Sequence, residues 1–306
     1  MEHHHHGHAH TITADHVSNA FVWGIVLNLI FVCVEVVAGL YIESLSLLSD
    51  AGHNLADVAT LALSLFAIKM AKVKSNNQYT YGFKKTTILV ALFNSVLLLV
   101  SIGAIGYEAI HRFLRPEPLP GNIISIVAGI GIGVNLFTAL LFFKSRENDL
   151  NVKSAFLHLL SDAIVSAGIV IGGIIIFYTN YFWIDSVLSI LVALVILFST
   201  WSLLQDSLRL SLDGVPKDID LDNVKSKIKK IKGVEDFHHI HIWAISTTVN
   251  ALTAHLVVAG HLSYDELQKI KHTIRHELEH LNIHHVTLET EDSAHTCAEE
   301  VCSTKG

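Results

Sequence analysis

Two copies of one short pattern, each set inside an apolar run, constrain this chain more than any other feature. The first spans His53 to Asp57 in the stretch Ser49-Asp50-Ala51-Gly52-His53-Asn54-Leu55-Ala56-Asp57, midway along an apolar segment from about Ser44 to Ile68. The second is His158-Leu-Leu-Ser-Asp162, again within an apolar run. Residues four apart share a helix face, so each pair presents an imidazole beside a carboxylate. An ionisable residue at bilayer depth costs roughly 2.5–3.5 kcal/mol on insertion scales, and is a functional candidate by default. Two nitrogens and two oxygens make a tetrahedral ligand set for a divalent metal. His53, Asp57, His158 and Asp162 are therefore the expected ligands. Such a cage favours zinc over manganese or magnesium, which take more oxygen ligands, and also suits cobalt and cadmium. The plainer alternative is four helix-packing polar groups bonded to one another. Glu35 and Asp50 also sit in apolar runs. They are read either as a polar vestibule or proton path, or as hydrogen-bonding partners of Asn28 or Asn54.

The membrane setting follows from where charge is missing. The chain of 306 residues is only 16% charged and 51% hydrophobic, whereas a soluble globule carries about 25% charge. The deficit lies between Val17 and Leu204. Six runs there, 17–42, 44–69, 86–110, 119–143, 153–178 and 182–205, each reach the ~20 residues that a bilayer helix needs. The expected organisation is a His-rich tail (1–16), an all-α six-helix transmembrane domain (17–207), a small α+β domain (208–292) and a polar tail (293–306) holding Cys297 and Cys302. The start lacks the basic residues and cleavage site of a signal peptide, so the first helix is expected to stay.

Orientation comes from lysine and arginine in short loops. The second connection holds Lys69, Lys72, Lys74, Lys84 and Lys85, and the fourth holds Lys144, Arg146 and Lys153. The odd connections hold Arg112 and Arg115. Even loops and both termini are thus expected in the cytosol. The second and fifth spans then run antiparallel, with both His/Asp pairs near the midplane, where transporters place their binding sites.

After Pro216 the periodicity changes. Asp222–Ile231 and Ser263–Leu281 have helical spacing, the latter opening on a capping box of Ser263 with Glu266. Phe237–Ser246, Thr248–Val258 and Val286–Thr290 read as strands, giving the order αββαβ with helices on one side of an open sheet. Strict alternation puts His239 and His241 on one face and His238 on the other. The 21 histidines cluster at 3–16, 238–261 and 272–295, and clustered histidine means metal, protons or both. The net charge of −7 excludes nucleic acid as an expected partner. Three cysteines are too few for a disulfide framework.

Together, Ser46-Leu-Leu-Ser-Asp50-Ala-Gly-His53-Asn-Leu-Ala-Asp57, Tyr81-Gly-Phe-Lys-Lys85, His158-Leu-Leu-Ser-Asp162 and His239-Ile-His241-Ile-Trp243 resemble the cation diffusion facilitators, nearest to their zinc-transporting branch. The resemblance implies a homodimer of six-helix protomers in a lipid bilayer, each with a ferredoxin-like cytosolic domain. It implies export of Zn2+ from the cytosol in exchange for protons. It also makes His238, His255, His284 and Glu291 the best matches to a cytosolic metal site, among candidates that include His239, His241, His261, His285 and Glu289. Lys85 and Asp213 match positions that form a salt bridge in the family. Two departures stand out: Thr87 where many members carry glutamate, and no histidine in the 144–152 loop.

The chain is accordingly expected to be an integral membrane carrier and not an enzyme. Its membrane would be the cell membrane in a prokaryote, or a plasma or vesicle membrane otherwise. The alternatives are a metal sensor or scaffold without transport, or a carrier of another divalent transition metal. Cys297 and Cys302, with His295, are a weaker metal candidate. His276-Glu277-Leu-Glu-His280 matches the zincin signature formally. A helix that buries Leu278 against a sheet leaves little room for a substrate cleft, so no peptidase is expected.

Overall fold

A computed structural model describes residues 14–41, 45–114, 121–179, 183–260 and 262–292. The His-rich start, His261, and the tail with His295, Cys297 and Cys302 lie outside the described residues, as do the side chains of Asp50 and His53.

Six long helices come first: α1 (Ala14–Tyr41), α2 (Leu45–Ala71), α3 (Thr86–Leu114), α4 (Gly121–Phe142), α5 (Leu150–Thr179) and α6 (Trp183–Ser211). α5 begins three residues before the expected run and α6 continues six residues past it. The α6 extension is polar, and hydropathy alone assigns it to a loop, whereas the α5 extension adds buried Asn151 and Val152. Among the described residues, Ser18–Ala38 and Thr86–His111 are apolar over enough length to cross a membrane. α1 shows why. Its buried residues Phe21, Asn28, Phe31 and Glu35 lie on one side, while Trp23, Ile30, Val37 and Leu40 are exposed. A helix that is hydrophobic all round needs an apolar solvent on its outer face. Inside, Phe21 meets Phe142 edge-on with centroids 4.7 Å apart. Leu61, Leu65, Val152 and Leu159 pack with them into one core of α1, α2, α4 and α5.

The C-terminal domain follows as α7 (Leu221–Lys229), β1 (Val234–Ser246), β2 (Val249–Val258), α8 (Tyr264–Glu279) and β3 (Ile283–Asp292), the expected αββαβ order. The sheet order is β1-β2-β3. β1 runs antiparallel to β2, and β2 runs parallel to β3. α7 starts on Asp220, whose carboxylate accepts from the Asp222 amide at 2.9 Å. α8 starts on the expected capping box, with Glu266 Oε2 accepting from the Ser263 amide at 2.9 Å. Val224 and Ile228 of α7, and Ile270, Ile274 and Leu278 of α8, close over Phe237, Ile242, Leu252 and Leu256 of the sheet. Between α7 and β1 the chain turns at Gly233 with φ +94°, where a Cβ would lie 2.6 Å from Ile270 Cδ1.

β1 departs from strict alternation. Its register on β2 shifts between His238 and His241, and His239 takes a left-handed φ of +50°. The cause is legible in the core. Phe237 and Ile242 both point inward, yet they are five residues apart, so an unbroken period of two satisfies only one of them. The bulge absorbs the extra residue. It also keeps His239 and His241 out of the apolar layer.

Leu278 is fully buried in this core. Leu278→Ala is expected to destabilise the C-terminal domain by about 2–5 kcal/mol, read as a lowered thermal midpoint of the sheet signal in circular dichroism.

Candidate metal centres

In the membrane-type domain, α2 supplies Asp57 and α5 supplies His158 and Asp162. One ligand atom from each lies within 4.8 Å of the others. His158 Nε2 stands 2.6 Å from Asp57 Oδ1 and 3.8 Å from Asp162 Oδ2. Asp57 and His158 are only 3% and 6% exposed. Three of the four residues expected as ligands are thus together. The fourth, His53, is on the same helix one turn before Asp57, and its side chain lies outside the described ones. Of the two roles open to Glu35, the structure supports a hydrogen-bonded one. Glu35 is fully buried, and Asn54 Nδ2 donates to its two oxygens at 3.0 and 2.8 Å. Asn28 instead donates to the Gly24 carbonyl.

The second cluster is on the open face of the sheet. His238, His255 and Glu291 each offer a ligand atom within 4.8 Å of the others. His255 Nδ1 contacts Glu291 Oε1, and its Nε2 lies 3.5 Å from Glu289 Oε2. His238 Nε2 is 3.7 Å from Glu291 Oε2, and its Nδ1 is 3.2 Å from Asp236 Oδ2. A hydrogen bond from Lys229 holds the Asp236 carboxyl below its usual range. The nitrogen and carboxylate donors, half-buried and mutually close, suit a zinc-like ion.

Two expectations fail here. His284 does not join the cluster. It is exposed, seven residues before Glu291 on β3, roughly 23 Å away at about 3.3 Å per residue, at the point where the pairing of β3 with β2 slips by one residue. His238 does not point away from His239. The bulge turns His238, His239, His241 and His255 toward one side, with His239 centred 4.7 Å from His255 and 5.0 Å from His241. His276 and His280 meet edge-on, with centroids 4.6 Å apart, on the exposed side of α8, opposite buried Leu278. Among the described residues, neither joins a group of three potential ligands.

Comparison with known proteins gives the family. The cation efflux transmembrane domain matches residues 22–210, and the cation efflux cytoplasmic domain (ZT_dimer) matches residues 216–293. The chain belongs to the cation efflux family. Its relatives place it in the zinc-transporting branch of the cation diffusion facilitators. It is 36% identical to a cadmium, cobalt and zinc/H(+)-K(+) antiporter of Bacillus subtilis, over 87% of this chain and 86% of that one. It is 37% identical to the metal cation efflux system protein CzcD of Cupriavidus metallidurans, over 85% and 82%. It is 34% identical to the zinc transporter ZitB of Escherichia coli, over 94% and 92%.

Within this cation efflux chain, a closed ring of hydrogen bonds joins the two domains, and sequence reasoning missed it. Asp149 caps α5, its Oδ1 accepting from the Asn151 amide at 2.7 Å. Its other oxygen accepts from Thr247 Oγ1 at 2.8 Å, in the β1–β2 turn. The Thr247 amide donates to Thr87 Oγ1 at 3.1 Å, and the Thr87 carbonyl accepts from Asn151 Nδ2 at 3.0 Å. Thr87, the departure noted in the sequence, is thus the hydroxyl that meets the turn. Asp149 directly before a helical run is an N-cap pattern, which was the available signal. Beside the ring, Lys85 Nζ pairs with Asp213 Oδ1, as the resemblance implied. A cavity of about 850 Å3 opens here between the helix ends and the C-terminal domain.

Burial raises the Asp149 pKa above its ordinary 3.8, against the hydrogen bonds that lower it. The folded state therefore favours the protonated acid. Its contribution to stability is complete below the unfolded pKa and is lost as pH rises through the raised folded value. Asp149→Asn keeps the cap and stays neutral. Its thermal midpoint is expected to gain on the wild type as pH rises from about 4 to about 7, measured by unfolding at stepped pH.

Proposed function

We propose that the protein exports Zn2+ from the cytosol across a cell membrane in exchange for protons, with Co2+ and Cd2+ as alternative cargo. It is a carrier, not an enzyme. One observation carries this: Asp57, His158 and Asp162 converge from two helices at a buried point with ligand spacing. A buried imidazole and carboxylates without a cation or proton between them are costly. With one bound they form a complete site once His53 joins.

The exchange follows from competition. A histidine binds metal only when deprotonated, so zinc entering from the cytosol displaces a proton, and protonation from the outer side ejects zinc. Antiport in the name of the Bacillus subtilis relative supports this for that protein and, by similarity, here. The six helices are taken as six spans with both termini cytosolic. In support, the lysine-bearing connections lie on the same side as the C-terminal domain, through Lys85 with Asp213 and Tyr81 against His285. The match to the ZT_dimer domain supports a homodimer in which a metal on His238, His255 and Glu291 steadies the cytosolic part.

In proteoliposomes with a pH gradient, Asp57→Ala is expected to reduce zinc-coupled proton flux to background, and undiminished flux would remove this site from the mechanism. His238→Ala is expected to retain transport while raising the half-saturating zinc concentration by about tenfold. Complete loss in His238→Ala would instead make the cytosolic cluster an obligatory part of the route.

A further inference from the structure

A small chamber adjoins the buried ligands. It measures about 80 Å3 and lies between α2, α3 and α5, room for about two or three waters at about 30 Å3 each. Asp57 and His158 border it, together with Thr60, Ser64, Asn94 and Ser154. α2 runs toward the C-terminal domain and α5 runs away from it. Thr60, Ser64 and Ser154 therefore all lie on the C-terminal-domain side of Asp57 and His158. The chamber is on the side from which cytosolic cargo arrives.

Helix packing accounts for only part of its polarity. Asn94 is 3% exposed. Its Nδ2 donates to Ser64 Oγ at 2.7 Å, but its Oδ1 has no partner. Asp57 Oδ2, at the chamber's far end, also has none. Leaving a buried acceptor unmade forfeits its full desolvation. An apolar side chain of similar shape fills such a place at less cost.

We propose that this chamber is the dehydration step of the transport path. An aquated divalent transition cation enters it, and Asn94 Oδ1 accepts a hydrogen bond from a metal-bound water while Asp57 and His158 take the metal. The inference rests on the transport function proposed above. A fixed acceptor that holds one metal-bound water steadies the partly stripped ion while Asp57 and His158 replace the waters that leave. Metal-bound water is a strong donor, so a lone acceptor suits it. Asn94 is on this account a positioning residue that sets how readily a hydrated ion is accepted.

The test is initial-rate transport by the full chain in proteoliposomes, with Zn2+, Cd2+ and Co2+ compared. Asn94→Leu keeps the shape and removes the oxygen. It is expected to raise half-saturating Zn2+ by about tenfold. The penalty should be larger for Co2+, which exchanges water slowly, and smaller for Cd2+, which exchanges it fast. Asn94→Asp keeps an oxygen, to which Ser64 can donate, and is expected to restore the wild-type order. Equal losses for all three metals would mean Asn94 only packs the helices, and unchanged kinetics would mean the chamber is a void. Either result overturns the proposal. If Asp57→Ala abolishes flux while Asn94→Leu behaves as wild type, the transport function stands and the dehydration role falls.

Discussion

The short contact between His158 and Asp57 is the constraint on which the membrane-type domain depends. It joins α2 to α5, deep in a low-dielectric interior where neither group is stable alone. Two helices that meet through such a pair cannot slide or rotate independently without exposing a carboxylate to hydrocarbon. The surrounding polar residues extend the same logic. Asn54, next to His53 in sequence, ties α2 to Glu35 of α1, and Asn94 ties α3 to Ser64 of α2. The ligand-bearing helix is held from both sides by amide side chains, which fixes the depth and rotation of Asp57.

The same helix α5 is anchored at its other end by the C-terminal domain. Its cap, Asp149, is shared with Thr247, in the turn between β1 and β2. Those strands carry His238 and His255. A continuous chain of structure therefore links the sheet cluster to the buried one: strand, turn, helix cap, helix, ligand. His158 stands two and a half turns beyond that cap at 3.6 residues per turn. The sheet cluster and the buried cluster thus stand at opposite ends of one continuous path.

Much of this was written in local sequence. The repeated His/Asp spacing predicted which helix faces meet, because four-residue spacing on a helix leaves no freedom about orientation. The αββαβ order followed from periodicity, and the start of α8 from its capping box. Three things were not legible. The turn toward His238 depends on a bulge that balances Phe237 against Ile242, a conflict visible only once both are known to be core. The exclusion of His284 depends on where β3 pairs with β2, since Asn250 faces Ile283 and His255 faces Glu289. The Asp149 ring depends on two residues nearly a hundred positions apart. In each case the deciding fact is long-range register, which no single stretch of residues encodes.

One feature of α6 has a mechanical side. At about 1.5 Å per residue, its unbroken run from Trp183 to Ser211 exceeds 40 Å, against about 30 Å of bilayer hydrocarbon. Near its C-terminal end it carries Asp206, clamped by Lys217 and near Lys153. A tilt of about ten degrees about its middle would swing that end by nearly 4 Å, a full atomic diameter, so a small rocking of the helix becomes a displacement large enough to make or break a contact with the C-terminal domain.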